Sequence, residues 1–149
     1  MQPTLPDEAI RLLVTAKDWR AAVRQAGEAL VAADVTTPDY TDQMIEAIEQ
    51  LGPYIVIAPG VALAHARPSP AVKQAGQSWV TLETPVPFGN EANDPVWLVI
   101  GLAATQQDGH IDMLAHLARV LSDQDCLAGV AAARTPQQLR LVLASVSEG

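Results

Sequence analysis

The sequence predicts an α/β fold in which a single mixed β-sheet is flanked by helices, in one domain covering residues 1–149. Three observations predict it. Apolar residues at three-four spacing occupy both ends of the chain, the pattern of helices with one buried face. Between them, "IVIA" and "VALA" bracket Pro59-Gly60, two short strand-like runs joined by a turn pair. Further on, "VWLVIGLAA" (96–104) is apolar on both faces, as a central strand must be. Helices, then strands, then helices require a sheet covered by helices.

Taken in order, a short first strand is expected around "IRLLV" (10–14). In "DWRAAVRQAGEALVAADV", Trp19, Ala22, Val23, Ala26, Ala29, Leu30 and Ala33 form one stripe of a first helix. "TPDYTDQMIEAIEQLG" is a second, with Thr37 able to cap it, Pro38 at its first position and Gly52 ending it. Strands follow at 55–58, 61–64, 76–84 and 96–104. "DGHIDMLAHLARVLSD" then returns to helix, with Asp108 as cap and Ile111, Leu114, Ala115, Ala118 and Leu121 as its stripe. "DQDCLAGVAAARTP" and "TPQQLRLVLASV" complete a helical C-terminus.

Composition narrows the functional classes. Seventeen acidic residues against nine basic ones leave a net charge of −8, with no basic stripe for a phosphate backbone. Nucleic acid is therefore not an expected partner, whereas a partner with a basic docking face is. One cysteine, Cys126, excludes an internal disulfide framework and reads as a small buried hydrophobe. No signal pattern opens the chain, and its longest apolar run falls well short of the ~20 residues that span a bilayer. A cytoplasmic protein is expected.

Three histidines carry the candidate chemistry. His65 closes the "VALAH" run, where a strand gives way to the loop "ARPSP". A neutral imidazole held there is a competent nucleophile. Arg67, two residues on, offers planar donors suited to a phosphoryl group. The plain alternative is a surface histidine beside a solvated arginine. His110 falls in the first turn after Asp108, where free backbone amides favour an anion and a neutral ring. Its alternative is a surface or capping role. His116 lies ~240° around the helix from His110 and is expected to pair with Asp112 on the surface.

Other chemistries lack their signatures. There is no His-x-x-x-His or Cys/His cluster for a metal, no Gly-x-Ser-x-Gly elbow and no glycine-rich phosphate loop. Any phosphoryl group must arrive already activated. "FGNEANDP" reads as turns, at Gly89-Asn90 and Asp94-Pro95, preceding a strand.

Two blocks, "IVIAPGVALAHARPSPAVKQAG" and "PVPFGNEANDPVWLVIGLAATQQDGHIDMLAHLARVLSD", resemble in order and spacing the IIA domain of the sugar phosphotransferase system (PTS), mannitol–fructose type. Within it, the ascorbate-specific IIA proteins are most similar. The resemblance runs from about Asp18 to the C-terminus. It implies a mixed sheet flanked by helices and a phosphohistidine relay. The histidine-containing phosphocarrier protein donates to the IIA histidine, a cysteine of the IIB component accepts, and sugar entering through the membrane IIC component receives the group. By position His65 matches the phosphorylated residue and His110 the second active-site histidine; which cation balances the phosphorylated histidine is left open, Arg67 being the local candidate. Neither metal nor nucleotide cofactor is implied. Two positions differ from many members. Ala64 stands where proline precedes the histidine, and "YTDQMIEAIEQL" holds no arginine, an absence shared with ascorbate-type members. A regulatory role like that of the nitrogen-related IIA paralogues is the alternative, and a homodimer is left open.

Overall fold

The computed structural model describes residues 5–105 and 110–146, with the side chains of 110–112 outside that description. Five strands form one mixed sheet: β1 (Ile10–Val14), β2 (Val56–Ala58), β3 (Val61–Ala64), β4 (Gly76–Val86) and β5 (Val96–Ala103). Their spatial order is β1-β4-β5-β3-β2, so the doubly apolar β5 is central, as its composition predicts. β1 runs parallel to β4 and β3 parallel to β5, while β4–β5 and β2–β3 are antiparallel.

Helices α1 (Trp19–Ala32) and α2 (Pro38–Leu51) cover one face. On the other lie α3 (His110–Leu121), α4 (Gln124–Ala132) and α5 (Pro136–Ala144). Strand alternation divides the core between them. Val80, Val99 and Ala103 face α1 and α2, whereas Trp79, Leu98 and Ile100 pack against the C-terminal helices. Close approach of α1 to the sheet depends on Gly101, where a side chain would run into Ser78 and crowd Leu30 and Ala26. Ser78 Oγ donates to the Ala26 carbonyl at 2.9 Å, tying α1 to β4 across that contact.

Helix termini follow the expected chemistry with one difference. Asp18 accepts from the Ala21 amide, Asp123 from Cys126 and Thr135 from Gln138. Gly52 ends α2 with φ 88°, a conformation that glycine adopts without a Cβ penalty. Thr37 occupies the cap position of α2, yet its side chain makes no capping bond. Pro38 at the first helical position removes one of the amides that would need a partner. The Asp108 cap of α3 lies outside the described residues.

The third helix corrects two expectations. Its buried stripe is Met113, His116, Leu117 and Val120, while Leu114, Ala115 and Ala118 are exposed. Three-four spacing is kept but rotated; Leu121 of the expected stripe still packs partly buried against the core, and the Ile111 side chain lies outside the described residues. His116 is accordingly buried and not on the surface, and its Nε2 donates to the Leu143 carbonyl at 3.1 Å; the Asp112 side chain expected to pair with it lies outside the described residues. That carbonyl lies in the last turn of α5, where it accepts from His116 beside the capping backbone amides that follow the helix. Trp79 and Cys126 are buried, Trp79 with its indole N–H donating to Gln77.

Candidate functional site

The hairpin bearing His65 is held from outside the sheet. Gly60 takes φ 78° in the Pro-Gly turn, and a side chain there would meet the Trp97 ring. Its amide donates to the Asn93 carbonyl, and its own carbonyl accepts from Trp97 and Leu98. Asn90 and Asn93 reach across to the carbonyls of Pro53 and Val56. The loop carrying both asparagines closes on Asp94, whose carboxylate accepts from the amides of Phe88, Gly89 and Asn90 at 2.8–3.0 Å. "FGNEANDP" thus buttresses β2 and the turn into β3, a role that its turn signals alone did not indicate.

Strand pairing of β3 ends at Ala64, which is fully buried opposite Gly101. His65 follows, half-buried, with its ring turned back on its own strand. Nδ1 lies 2.8 Å from the Leu63 carbonyl. A carbonyl only accepts, so Nδ1 carries the proton, and in the neutral ring Nε2 keeps its lone pair. The Tyr54 ring meets the imidazole edge-on, with centroids 5.8 Å apart and planes at 81°.

Ahead of the imidazole is an open groove of about 900 Å³ between α2 and the segment after β3. His65, Arg67 and Ser69 line one side, and Gln43, Glu46 and Gln50 of α2 the other. Two sequence-predicted site residues, His65 and Arg67, therefore share one cavity. Arg67 is exposed and has no ion-pair partner among the described residues. His110 is the first residue of α3, and its side chain lies outside the described residues.

Sequence reasoning missed Tyr40. This residue of α2 is fully buried, and its hydroxyl donates to the Leu102 carbonyl at 2.7 Å while accepting from the Ala66 amide at 3.0 Å. It fixes the backbone immediately after His65. Burial pushes its phenol pKa up, outweighing the backbone bond to Ala66 that pulls it down, so the hydroxyl stays protonated and able to donate. The available signal was a tyrosine on the buried stripe of a helix, since a buried phenol needs a polar partner.

Known proteins place this architecture. The family model for "Phosphoenolpyruvate-dependent sugar phosphotransferase system, EIIA 2" matches residues 4–146, which extends the resemblance upstream of Asp18 through β1. The ascorbate-specific PTS system EIIA component of Escherichia coli (strain K12) is 38% identical over 134 residues, covering 89% of this chain and 87% of the relative. The solution structure of the mannitol-specific cryptic phosphotransferase enzyme IIA from Escherichia coli superposes with TM-score 0.82 at 32% identity, covering 97% and 96% of the two chains. Enzyme IIA of the Escherichia coli mannitol system, in complex with phosphorylated enzyme IIB, gives TM-score 0.82 at 28% identity over 95% and 98%. A sequence match over nearly the whole chain, joined to the same sheet and helix layers, makes this protein a phosphotransferase that belongs to the EIIA type 2 family of the phosphoenolpyruvate-dependent sugar phosphotransferase system.

Proposed function

We propose that this chain is one IIA domain that carries phosphoryl groups in the cytoplasm, receiving them on Nε2 of His65 from the histidine-containing phosphocarrier protein. It passes them to a IIB component serving uptake of ascorbate or a related sugar acid through a IIC transporter. The observation that carries the reading is the His65 ring itself. Nδ1–H is committed to the Leu63 carbonyl, which leaves Nε2 as the nitrogen that holds the nucleophilic lone pair of the half-buried ring. Similarity to the ascorbate-specific components supports the substrate class, and the mannitol IIA–IIB complex supports IIB as acceptor.

The chemistry follows from that tautomer. The Nε2 lone pair attacks phosphorus, the bond from phosphorus to the donor imidazole breaks, and its electron pair returns to that imidazole. The His65 ring becomes positively charged while holding Nδ1–H, and the Leu63 carbonyl accepting from that proton offsets the charge. Arg67, exposed on the same groove, supplies a cation for the phosphoryl oxygens. His110 is assigned a supporting role beside the phosphoryl group. Positioning and charge stabilisation supply most of the catalysis in phosphoryl transfer, so an open groove reached by large partners suits the reaction.

The test is direct. Incubation with phosphoenolpyruvate, enzyme I and the phosphocarrier should give one acid-labile phosphoryl adduct per chain. It should be absent in His65→Ala and formed about 10²-fold more slowly in His110→Ala. Full labelling of His65→Ala would overturn the assignment. Adding an ascorbate-type IIB should then discharge the label. Retention against every IIB tried would contradict a transport role and favour regulation.

A further inference from the structure

We propose that the Tyr40 hydroxyl is a positioning group for phosphoryl transfer, acting as an inserted rung that splits β3 from β5 directly after His65. The inference rests on His65 being the acceptor and deepens that reading.

The ladder itself predicts where the rung belongs. In a parallel pair, alternate residues of one strand bond to the other with both amide and carbonyl. Leu98 of β5 donates to the Gly60 carbonyl, so the bonding residues of β5 in this pair are Leu98, Ile100 and Leu102. Carried one step beyond Ala64↔Gly101, the pattern would bring the Ala66 amide onto the Leu102 carbonyl. Those are the two groups that Tyr40 Oη joins, accepting from the first and donating to the second. Both are satisfied through the hydroxyl, and the strands part by its width. The fork opens at His65, whose ring is then free to fold back on Leu63 and face the groove.

Tyr40 is fully buried and lies on a helix that packs against α1, so the wedge is backed by the core and does not yield when a partner docks. Removing the hydroxyl lets the fork close or leaves both backbone groups unpaired, and either moves His65 relative to its donor. A displacement of about 1 Å can cost on the order of 10²-fold in rate.

The test compares wild type, Tyr40→Phe and Val130→Ala, the last a core truncation on the opposite face that controls for lost stability. Phosphoryl transfer from the phosphorylated carrier is measured alongside ¹⁵N signals of the His65 ring. Tyr40→Phe should lower turnover about tenfold or more with KM unchanged, and should shift the ring away from its single Nδ1–H tautomer. Val130→Ala should do neither. A Tyr40→Phe protein that transfers at the wild-type rate, or slows no more than Val130→Ala, overturns the proposal. Should Tyr40→Phe not fold, the wild-type protein decides. A slowly exchanging Tyr40 hydroxyl proton with a cross-peak to the Ala66 amide supports the rung, and a freely exchanging one overturns it. If the wild type takes no label, or His65→Ala labels fully, the assignment of His65 fails instead, and that outcome is separate from any effect of Tyr40.

Discussion

At the scale of single residues, the hairpin end shows how a strand's own backbone and one buried side chain hold a ring in place. The Leu63 carbonyl selects the tautomer of His65, and Tyr40 fixes the peptide that follows. Ala64 is held in the sheet opposite Gly101, so strand pairing supplies stiffness just before His65. The Tyr40 phenol also carries a pH signature. Its pKa is raised from 10.0 by burial, so the neutral form is favoured in the folded state. Its contribution to stability is full below pH 10 and is lost as pH rises through the folded-state pKa. Thermal melts from pH 7 to 11 should therefore fall more steeply for wild type than for Tyr40→Phe above pH 10, and parallel curves would contradict the buried hydroxyl. Cys126 behaves similarly. Buried, with its thiol pKa raised by desolvation and then by Asp123, it should resist iodoacetamide until the protein unfolds, and rapid alkylation of the native protein would be inconsistent with its packing.

At the scale of elements, much of the fold was legible because most elements carry their own pattern. The Pro-Gly hairpin, the doubly apolar β5 and the capped C-terminal helices all begin within a residue or two of where spacing placed them, although α4 stops four residues before its expected end. What was not legible depends on groups distant in sequence. Tyr40 meets Leu102, Asn90 meets Pro53 and His116 meets Leu143, and no local pattern encodes those pairs. The α3 stripe was misjudged for a related reason, since alanines fit either face and only tertiary packing chose between them. Two variants test the element-level account. At Gly27 a Cβ would run into the Thr41 side chain, so Gly27→Ala should separate α1 from α2 and cost about 1–3 kcal/mol in denaturant unfolding. Asp94→Ala removes one acceptor from three backbone amides and should cost a similar ~1–3 kcal/mol. It should also slow labelling of His65, because the hairpin loses its buttress. Wild-type labelling in a destabilised Asp94→Ala protein would show that the loop supports the fold without guiding the site.

At the scale of the whole molecule, layered packing sets helices on both faces of the sheet and leaves the groove by His65 open. Among the described residues no helix is long and apolar enough to cross a membrane. The net charge of −8 should speed encounter with a basic partner surface, so association with the proposed phosphocarrier should slow about tenfold or more between low and high salt. A salt-independent association rate would remove charge from the recognition argument. The central claim, that the backbone leaves Nε2 of His65 as the nucleophile, is tested most directly by ¹⁵N and ³¹P spectroscopy of the phosphorylated protein. The proposal predicts a phosphoryl group bonded to Nε2 of His65, with Nδ1 still protonated and bonded to the Leu63 carbonyl. A phosphoryl group on Nδ1, or on any other residue, would contradict it.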